Sequence, residues 1–312
     1  MKTLSVRTIL LRFWIPVATC VLVCLVVRAQ NAPVSDSSFH PPKSYQLALG
    51  DSYTFGYQRD KFDDEVKAGT YDPASFNTGY VDDLAKDLAG IDPGIQTVNL
   101  GCPGQNSTSF MSEFQGCRFH LVGGFALHTN YPDLQLGYPH SQLGTAVAFL
   151  QAHPGQVSPI TLNIGQNDLN QLNSACNFKM DCALAGLPAV LGTFRANLTG
   201  ILTQLRAAAP DSEILVLLQI DPDALKYPFT TVEFVGPLNQ DQVPLNQIIR
   251  EVADSINARV ADEYSTFNLG PQPATLCTLT GVCDPPLFDR HPTDLGYQVM
   301  ANVIWQASGY QR

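Results

Sequence analysis

The sequence predicts an α/β protein, a three-layer α/β/α sandwich around a central, mainly parallel five-stranded sheet. Three observations predict it. Five short apolar runs recur along the chain, stretches with helical spacing separate them, and a polar segment directly follows several of the runs. Near-continuous apolar runs suit parallel strands covered on both faces.

The predicted strands are Tyr45–Leu49, Ile95–Leu100, Pro159–Ile164, Ile214–Ile220 and Arg259–Tyr264. Between them, Tyr80, Val81, Leu84 and Leu88 share a helical face. Leu143, Val147 and Leu150 share another, stopped by Pro154. Leu191, Phe194, Leu198, Ile201, Leu202 and Leu205 form a stripe that ends before Pro210. Ile248, Ile249, Val252 and Ile256 make the next face, and Leu295, Val299 and Val303 the last, behind a Thr293 cap. Asn106–His140 and Asp221–Gln242 lack periodicity and read as long surface loops, walls of a cleft. No internal repeat or second-domain boundary is visible.

The first 29 residues read as a signal peptide. Lys2, Arg7 and Arg12 precede an uncharged stretch from Phe13 to Val27, and Ala29 offers a small residue for cleavage. As a helix that stretch reaches about 22 Å, short of a bilayer core of roughly 30 Å, and Pro16 weakens it further. Arg28 beside the cleavage site is unusual, which keeps a retained anchor as the alternative. Residues 30–43 read as a flexible lead-in and 44–312 as the folded domain. The leader carries four of the 18 basic residues and no acid, leaving 14 bases against 28 acids, a net charge near −14. Such a balance argues against nucleic acid or an anionic membrane surface as partner.

Six cysteines follow the leader: Cys102, Cys117, Cys176, Cys182, Cys277 and Cys283. An exported chain with an even count suggests disulfides, with 15 pairings open to six cysteines. Neighbour pairing, 102–117, 176–182 and 277–283, is the simplest. Each bridge then pins a loop near a segment that carries chemistry.

Those segments are Gly50-Asp51-Ser52, Asn99-Leu100-Gly101-Cys102-Pro103-Gly104, Gly165-Gln166-Asn167-Asp168 and Asp289-Arg290-His291-Pro292. Each has a plain reading alone: a helix cap at Ser52, a turn at Gly104, an Asx turn at Asn167, a surface histidine at His291. In a parallel sheet, however, ligands bind at the carboxyl ends of strands. Ser52, Gly104 and Asn167 each follow a predicted strand, so the fold brings them to one edge. A serine hydroxyl needs a base to become a nucleophile, and histidine supplies one near neutral pH. Donors aimed at the oxygen of an attacked carbonyl are worth roughly 3 kcal/mol each in the transition state.

Together the segments resemble the SGNH (GDSL-type) hydrolase family, in its secreted lipase and esterase branch, from Tyr45 to about Ile304. The resemblance implies a flavodoxin-like strand order and a carboxylic ester hydrolase. It implies Ser52 as nucleophile, His291 as base, and an oxyanion hole of the Ser52 and Gly104 N–H groups with the Asn167 amide. Glycine at 104 is expected to let the backbone approach substrate closely. The family's triad acid usually stands three residues before the histidine, where this chain has Phe288. Asp289 is favoured instead, with a backbone carbonyl near Phe288 or the Asp284 side chain as alternatives. Asp51 is read as support for the turn.

No cofactor or metal is expected; His120, His128 and His140 lack metal-ligand spacing. The expected partner is a small-molecule or lipid ester, with no nucleic acid, no stable membrane partner and a monomeric chain. Phe110, Phe114, Phe119, Phe125, Tyr131 and Tyr138 either line an acyl pocket or are packed inside. The alternatives to a lipase or esterase are an acetylxylan-type carbohydrate acetylesterase and a catalytically silent carbohydrate-binding relative. Asn106-Ser107-Thr108 and Asn197-Leu198-Thr199 are sequons, meaningful only if the source glycosylates.

Overall fold

Strand pairing organises the computed structural model, which describes residues 40–112, 121–122, 125–126, 141–222, 235–269 and 274–311. In chain order the main elements are β1 (Tyr45–Gly50), α1 (Ser52–Phe55), α2 (Arg59–Ala68), α3 (Tyr80–Ala89), β2 (Gln96–Asn99), α4 (Ser107–Met111), α5 (Gln142–Ala152), β3 (Val157–Asn163), α6 (Gln166–Ala175), α7 (Met180–Ala208), β4 (Ile214–Leu217), α8 (Val235–Ser255), β5 (Arg259–Ala261), α9 (Glu263–Asn268), α10 (Ala274–Leu279) and α11 (Asp294–Ser308). The five strands lie in the order β2-β1-β3-β4-β5, every neighbouring pair parallel. This is the expected order.

Alternation along each strand divides the core into two layers. Leu47 and Leu49 of β1, Ile160 and Leu162 of β3, and Ile214 and Val216 of β4 pack with Leu150, Phe194, Leu198, Leu202 and Ile249 from α5, α7 and α8. On the opposite face Ala48, Leu215, Leu217 and Ala261 meet Leu84 and Leu88 of α3 and Met300 and Ile304 of α11. The α7 stripe read from the sequence is buried from Phe194 through Leu205, and Thr293 caps α11 by accepting the Gly296 N–H at 3.1 Å.

Four expectations shift. The strand expected over Ile214–Ile220 ends at Leu217, and the Gln219 N–H and carbonyl bond the Asn246 side chain instead. The strand expected to run to Tyr264 stops at Ala261, because the Asp262 side chain accepts the Ser265 N–H and starts α9. Within Asn106–His140, Asn106 caps α4, and Leu121–Val122 pairs antiparallel with Phe125–Ala126. Helix α8 begins at Val235, inside the segment expected to be a loop, and continues through Pro244. No helix among the described residues is long and apolar enough to cross a membrane.

Candidate active site

Ser52 occupies the first helical position after β1. Gly50 has φ +142°, and a Cβ there would lie 2.1 Å from the Asn163 carbonyl oxygen, so only glycine fits this turn. The buried Gln142 side chain clasps the same residue, accepting the Gly50 N–H at 2.6 Å and donating to its carbonyl at 3.0 Å. Asp51 caps α1 through Oδ1, which accepts the Tyr53 N–H at 3.1 Å. The hydroxyl of Ser52 is thereby fixed at the carboxyl end of β1.

His291 reaches that hydroxyl from a loop 239 residues away, with Nε2 3.0 Å from Ser52 Oγ. Its Nδ1 lies 2.6 Å from Asp289 Oδ1, and Asp289 Oδ2 accepts the Arg59 N–H at 2.7 Å. Of the three groups weighed for this position, Asp289 is the one against the ring. Phe288 takes φ +46°, turning the chain just before Asp289, and Asp284 is exposed. Burial alone would raise the Asp289 carboxyl. The hydrogen bond and charge of His291, with the Arg59 and His291 N–H groups, outweigh it and hold the carboxyl below its ordinary value.

The histidine loop is braced from both sides. Tyr53 Oη donates to the Arg290 carbonyl at 2.8 Å, and the Tyr57 ring stands edge-on to the imidazole with centroids 4.8 Å apart. Behind it, the Gly281 N–H donates to the His291 carbonyl at 3.1 Å and the Thr293 N–H to the Leu279 carbonyl at 3.0 Å. The Cys277–Cys283 disulfide encloses that bracing segment.

Gly104 and Asn167 arrive on the loop after β2 and the first turn of α6. Gly104 has φ +81°, and a Cβ there would meet nothing within 4 Å. The left-handed backbone conformation favours glycine here, and no protein atom crowds the position. Neither the Ser52 nor the Gly104 N–H has a hydrogen-bond acceptor among the described residues. Asn167 Nδ2 donates to the Gln105 carbonyl at 3.0 Å and to Asp51 Oδ2 at 3.3 Å. The next residue, Asp168, is buried, and its carboxyl accepts both the Ser107 N–H (2.9 Å) and the Ser107 hydroxyl (2.5 Å), joining α6 to α4.

These groups line one cavity of about 330 Å³. Besides Ser52, Gly104, Asn167 and His291, its described wall includes Gln166 and Arg290, which stand in the quoted segments without a role, and Tyr57, Asn170 and Pro222, which the sequence did not single out. Asn170 carried a usable signal, since it stands three residues after Asn167 and four after Gln166, on the same helical face. Phe110 is wholly buried in the core and is not among the described residues lining this cavity. Phe114, Phe119, Tyr131, Tyr138, His120, His128 and His140 lie outside the described residues, as does the side chain of Phe125.

Two of the three expected bridges are present, Cys176–Cys182 and Cys277–Cys283. The third, Cys102–Cys117, involves Cys117, which lies outside the described residues. Among the described residues no cluster of three or more His, Cys, Asp or Glu side chains is arranged to hold a metal ion. Both sequon asparagines use their amides internally. Asn106 Nδ2 donates to Gln171 at 2.6 Å, and Asn197 Nδ2 to the Ser107 and Thr108 hydroxyls, each at 3.0 Å.

Solved structures share this architecture at low identity. An extracellular lipase from Streptomyces rimosus superposes with a TM-score of 0.55 at 18% identity, covering 85% of this chain and 99% of that one. An acetylxylan esterase from Geobacillus stearothermophilus gives 0.52 at 16%, covering 88% and 97%. A phospholipase A1 from Streptomyces albidoflavus gives 0.53 at 16%, covering 85% and 99%. At these identities the likeness speaks for the fold. Among curated proteins none matches the chain in sequence. The family model of the GDSL-like lipase/acylhydrolase family matches residues 48–299. That match covers most of the chain, including all four segments that converge on the cavity, and so the protein belongs to the GDSL-like lipase/acylhydrolase family and is a carboxylic ester hydrolase.

Proposed function

We propose that this ester hydrolase works through Ser52 as nucleophile, His291 as general base and Asp289 as the group that orients the imidazole. The observation that carries the reading is the continuous line from Asp289 through both His291 nitrogens to Ser52 Oγ, at 2.6 and 3.0 Å. Neutral His291 donates Nδ1–H to Asp289 and accepts the Ser52 proton at Nε2. The freed alkoxide attacks the ester carbonyl, and charge moves to its oxygen. The Ser52 and Gly104 N–H groups and the Asn167 amide receive that charge. His291 then passes its proton to the leaving alcohol, and water, deprotonated by the same nitrogen, releases the acid.

Substrates of short acyl chain fit a 330 Å³ cavity whose described wall carries the amides of Gln166, Asn167 and Asn170. Those amides also support the second reading, an acetylesterase acting on acylated carbohydrate. We place the enzyme outside the cell, on a leader at residues 1–29 and the two disulfides. An exported chain beginning at Gln30 checks the leader; one that retains Met1 removes it.

A fluorophosphonate probe with mass mapping tests the chemistry. Labelling of Ser52 is expected, with p-nitrophenyl acetate hydrolysis lost by at least about 10⁴-fold in folded Ser52→Ala. A label on another serine breaks the assignment. Comparing p-nitrophenyl acetate, butyrate and palmitate with release of acetate from acetylated xylan separates the two substrate readings.

A further inference from the structure

Both hydrogens of the Asn167 amide are spent in the resting site. One goes to the Gln105 carbonyl at 3.0 Å, the other to Asp51 Oδ2 at 3.3 Å, while Asn170 Nδ2 donates to Asn167 Oδ1 at 3.2 Å. The two N–H groups expected to share its task, those of Ser52 and Gly104, have no acceptor among the described residues. The Asn167 donor is therefore already committed before substrate binds. Of its two acceptors, Asp51 is among the described residues lining the cavity, whereas Gln105 is buried and is not. The hydrogen that Asp51 holds is bound by the longer of the two bonds, and its acceptor is the one whose residue lines the cavity.

We propose that Asp51 is a positioning residue for the oxyanion hole: its carboxyl keeps the Asn167 amide aimed at the cavity and yields that hydrogen to the substrate oxygen as negative charge develops there. The proposal rests on the reading of Asn167 as an oxyanion donor.

Three features support it. Asp51 is 2% exposed, and its other oxygen is anchored on the Tyr53 N–H, so the carboxyl is held in place on both sides. A lengthened hydrogen bond to a competing acceptor is easily exchanged for a shorter one to an oxyanion, since charge-assisted bonds are roughly twice as strong as neutral ones. Burial, and the like charge of Asp168, also push the Asp51 carboxyl up to about 7. Near neutrality much of it is then a neutral acid, which competes weakly for the amide and does not repel the oxyanion.

The test is Asp51→Asn, alone and combined with Asn167→Ala, read by steady-state kinetics on p-nitrophenyl acetate. Asparagine retains an oxygen to cap Tyr53 but turns an NH₂ group toward Asn167. The single change is expected to lower kcat by about tenfold or more, with KM within about twofold. In the Asn167→Ala background the same change is expected to have no further effect. A kcat for Asp51→Asn equal to wild type, or a loss that multiplies in full with that of Asn167→Ala, overturns the proposal. Asn167→Ala at wild-type activity overturns both the proposal and the donor reading beneath it, which keeps the two failures distinct. A crystal structure of the wild-type enzyme phosphonylated at Ser52 decides the matter if Asp51→Asn does not fold. Asn167 Nδ2 is expected within about 3.2 Å of the phosphonyl oxygen and beyond about 3.5 Å of Asp51 Oδ2. An adduct in which Asn167 still bonds Asp51 overturns it.

Discussion

Asp51 stands one residue before Ser52 and Asp289 two before His291, yet their surroundings drive the two acids in opposite directions. Asp51, buried at the N-terminus of α1, has two weakly compensating N–H donors and a second acid, Asp168, nearby, and its carboxyl is pushed up to about 7. Asp289 is also largely buried, but it faces the His291 ring and two backbone N–H groups and is held below the ordinary carboxylate value. Burial acts alike on both. The partner decides the sign: a cationic imidazole repays desolvation of a carboxylate, whereas neutral amides do not. One acid is thereby suited to stay charged beside a developing imidazolium, and the other to stay neutral beside a developing oxyanion.

The largest effect expected from breaking this contrast is kinetic. Asp289→Asn keeps the shape of the side chain but removes the charge that stabilises imidazolium, and kcat on p-nitrophenyl acetate is expected to fall by about 10³- to 10⁴-fold. A loss below tenfold shows that the imidazole is oriented without Asp289.

A smaller effect sharpens the contrast through stability. The folded Asp51 carboxyl titrates above its unfolded value, so from about pH 4 to 7 the folded state binds more protons, and stability falls as pH rises. The full cost above pH 7 is on the order of 4 kcal/mol. Asp289 is lowered, so its contribution is present above the unfolded value and is lost as pH falls below about 4. Urea unfolding relative to wild type should show Asp51→Asn gaining stability between pH 5 and 7.5. The deficit of Asp289→Asn should instead shrink progressively as pH falls below about 4. Parallel pH profiles for the two variants remove the contrast.

The sequence made the strands and the four chemical segments legible because each is local. An apolar run is visible within six residues, and a serine, glycine or asparagine after it marks a strand-to-helix turn. What escaped is carried by contacts across long separations. Gln142 clasps Gly50 from 92 residues away, and the Arg59 N–H holds Asp289 across 230. Neither residue belongs to any pattern in its own neighbourhood. Phe110 could not be assigned to pocket or core because α4 is only five residues long, too short to display a period. Asp289 stood out only as a departure in spacing, since the left-handed turn at Phe288 that suits two residues rather than three is a backbone event.

The two disulfides extend the comparison from single residues to loops. Each bridges a separation of 6 residues, so loop-closure entropy gives them similar worth, about 2 kcal/mol. Their surroundings differ. Cys176–Cys182 joins the C-terminal end of α6 to the start of α7, at the opposite end of α6 from Asn167. Cys277–Cys283 encloses Leu279 and Gly281, whose backbone groups bond those of Thr293 and His291. Replacing either pair by serines should therefore lower the unfolding midpoint to a similar extent. Only loss of the 277–283 bridge should also reduce kcat, by a few-fold, because it loosens the support of the imidazole rather than any group touching substrate. Equal kcat in the two variants would mean that the hydrogen bonds at Gly281 and Thr293 hold the histidine loop without covalent help.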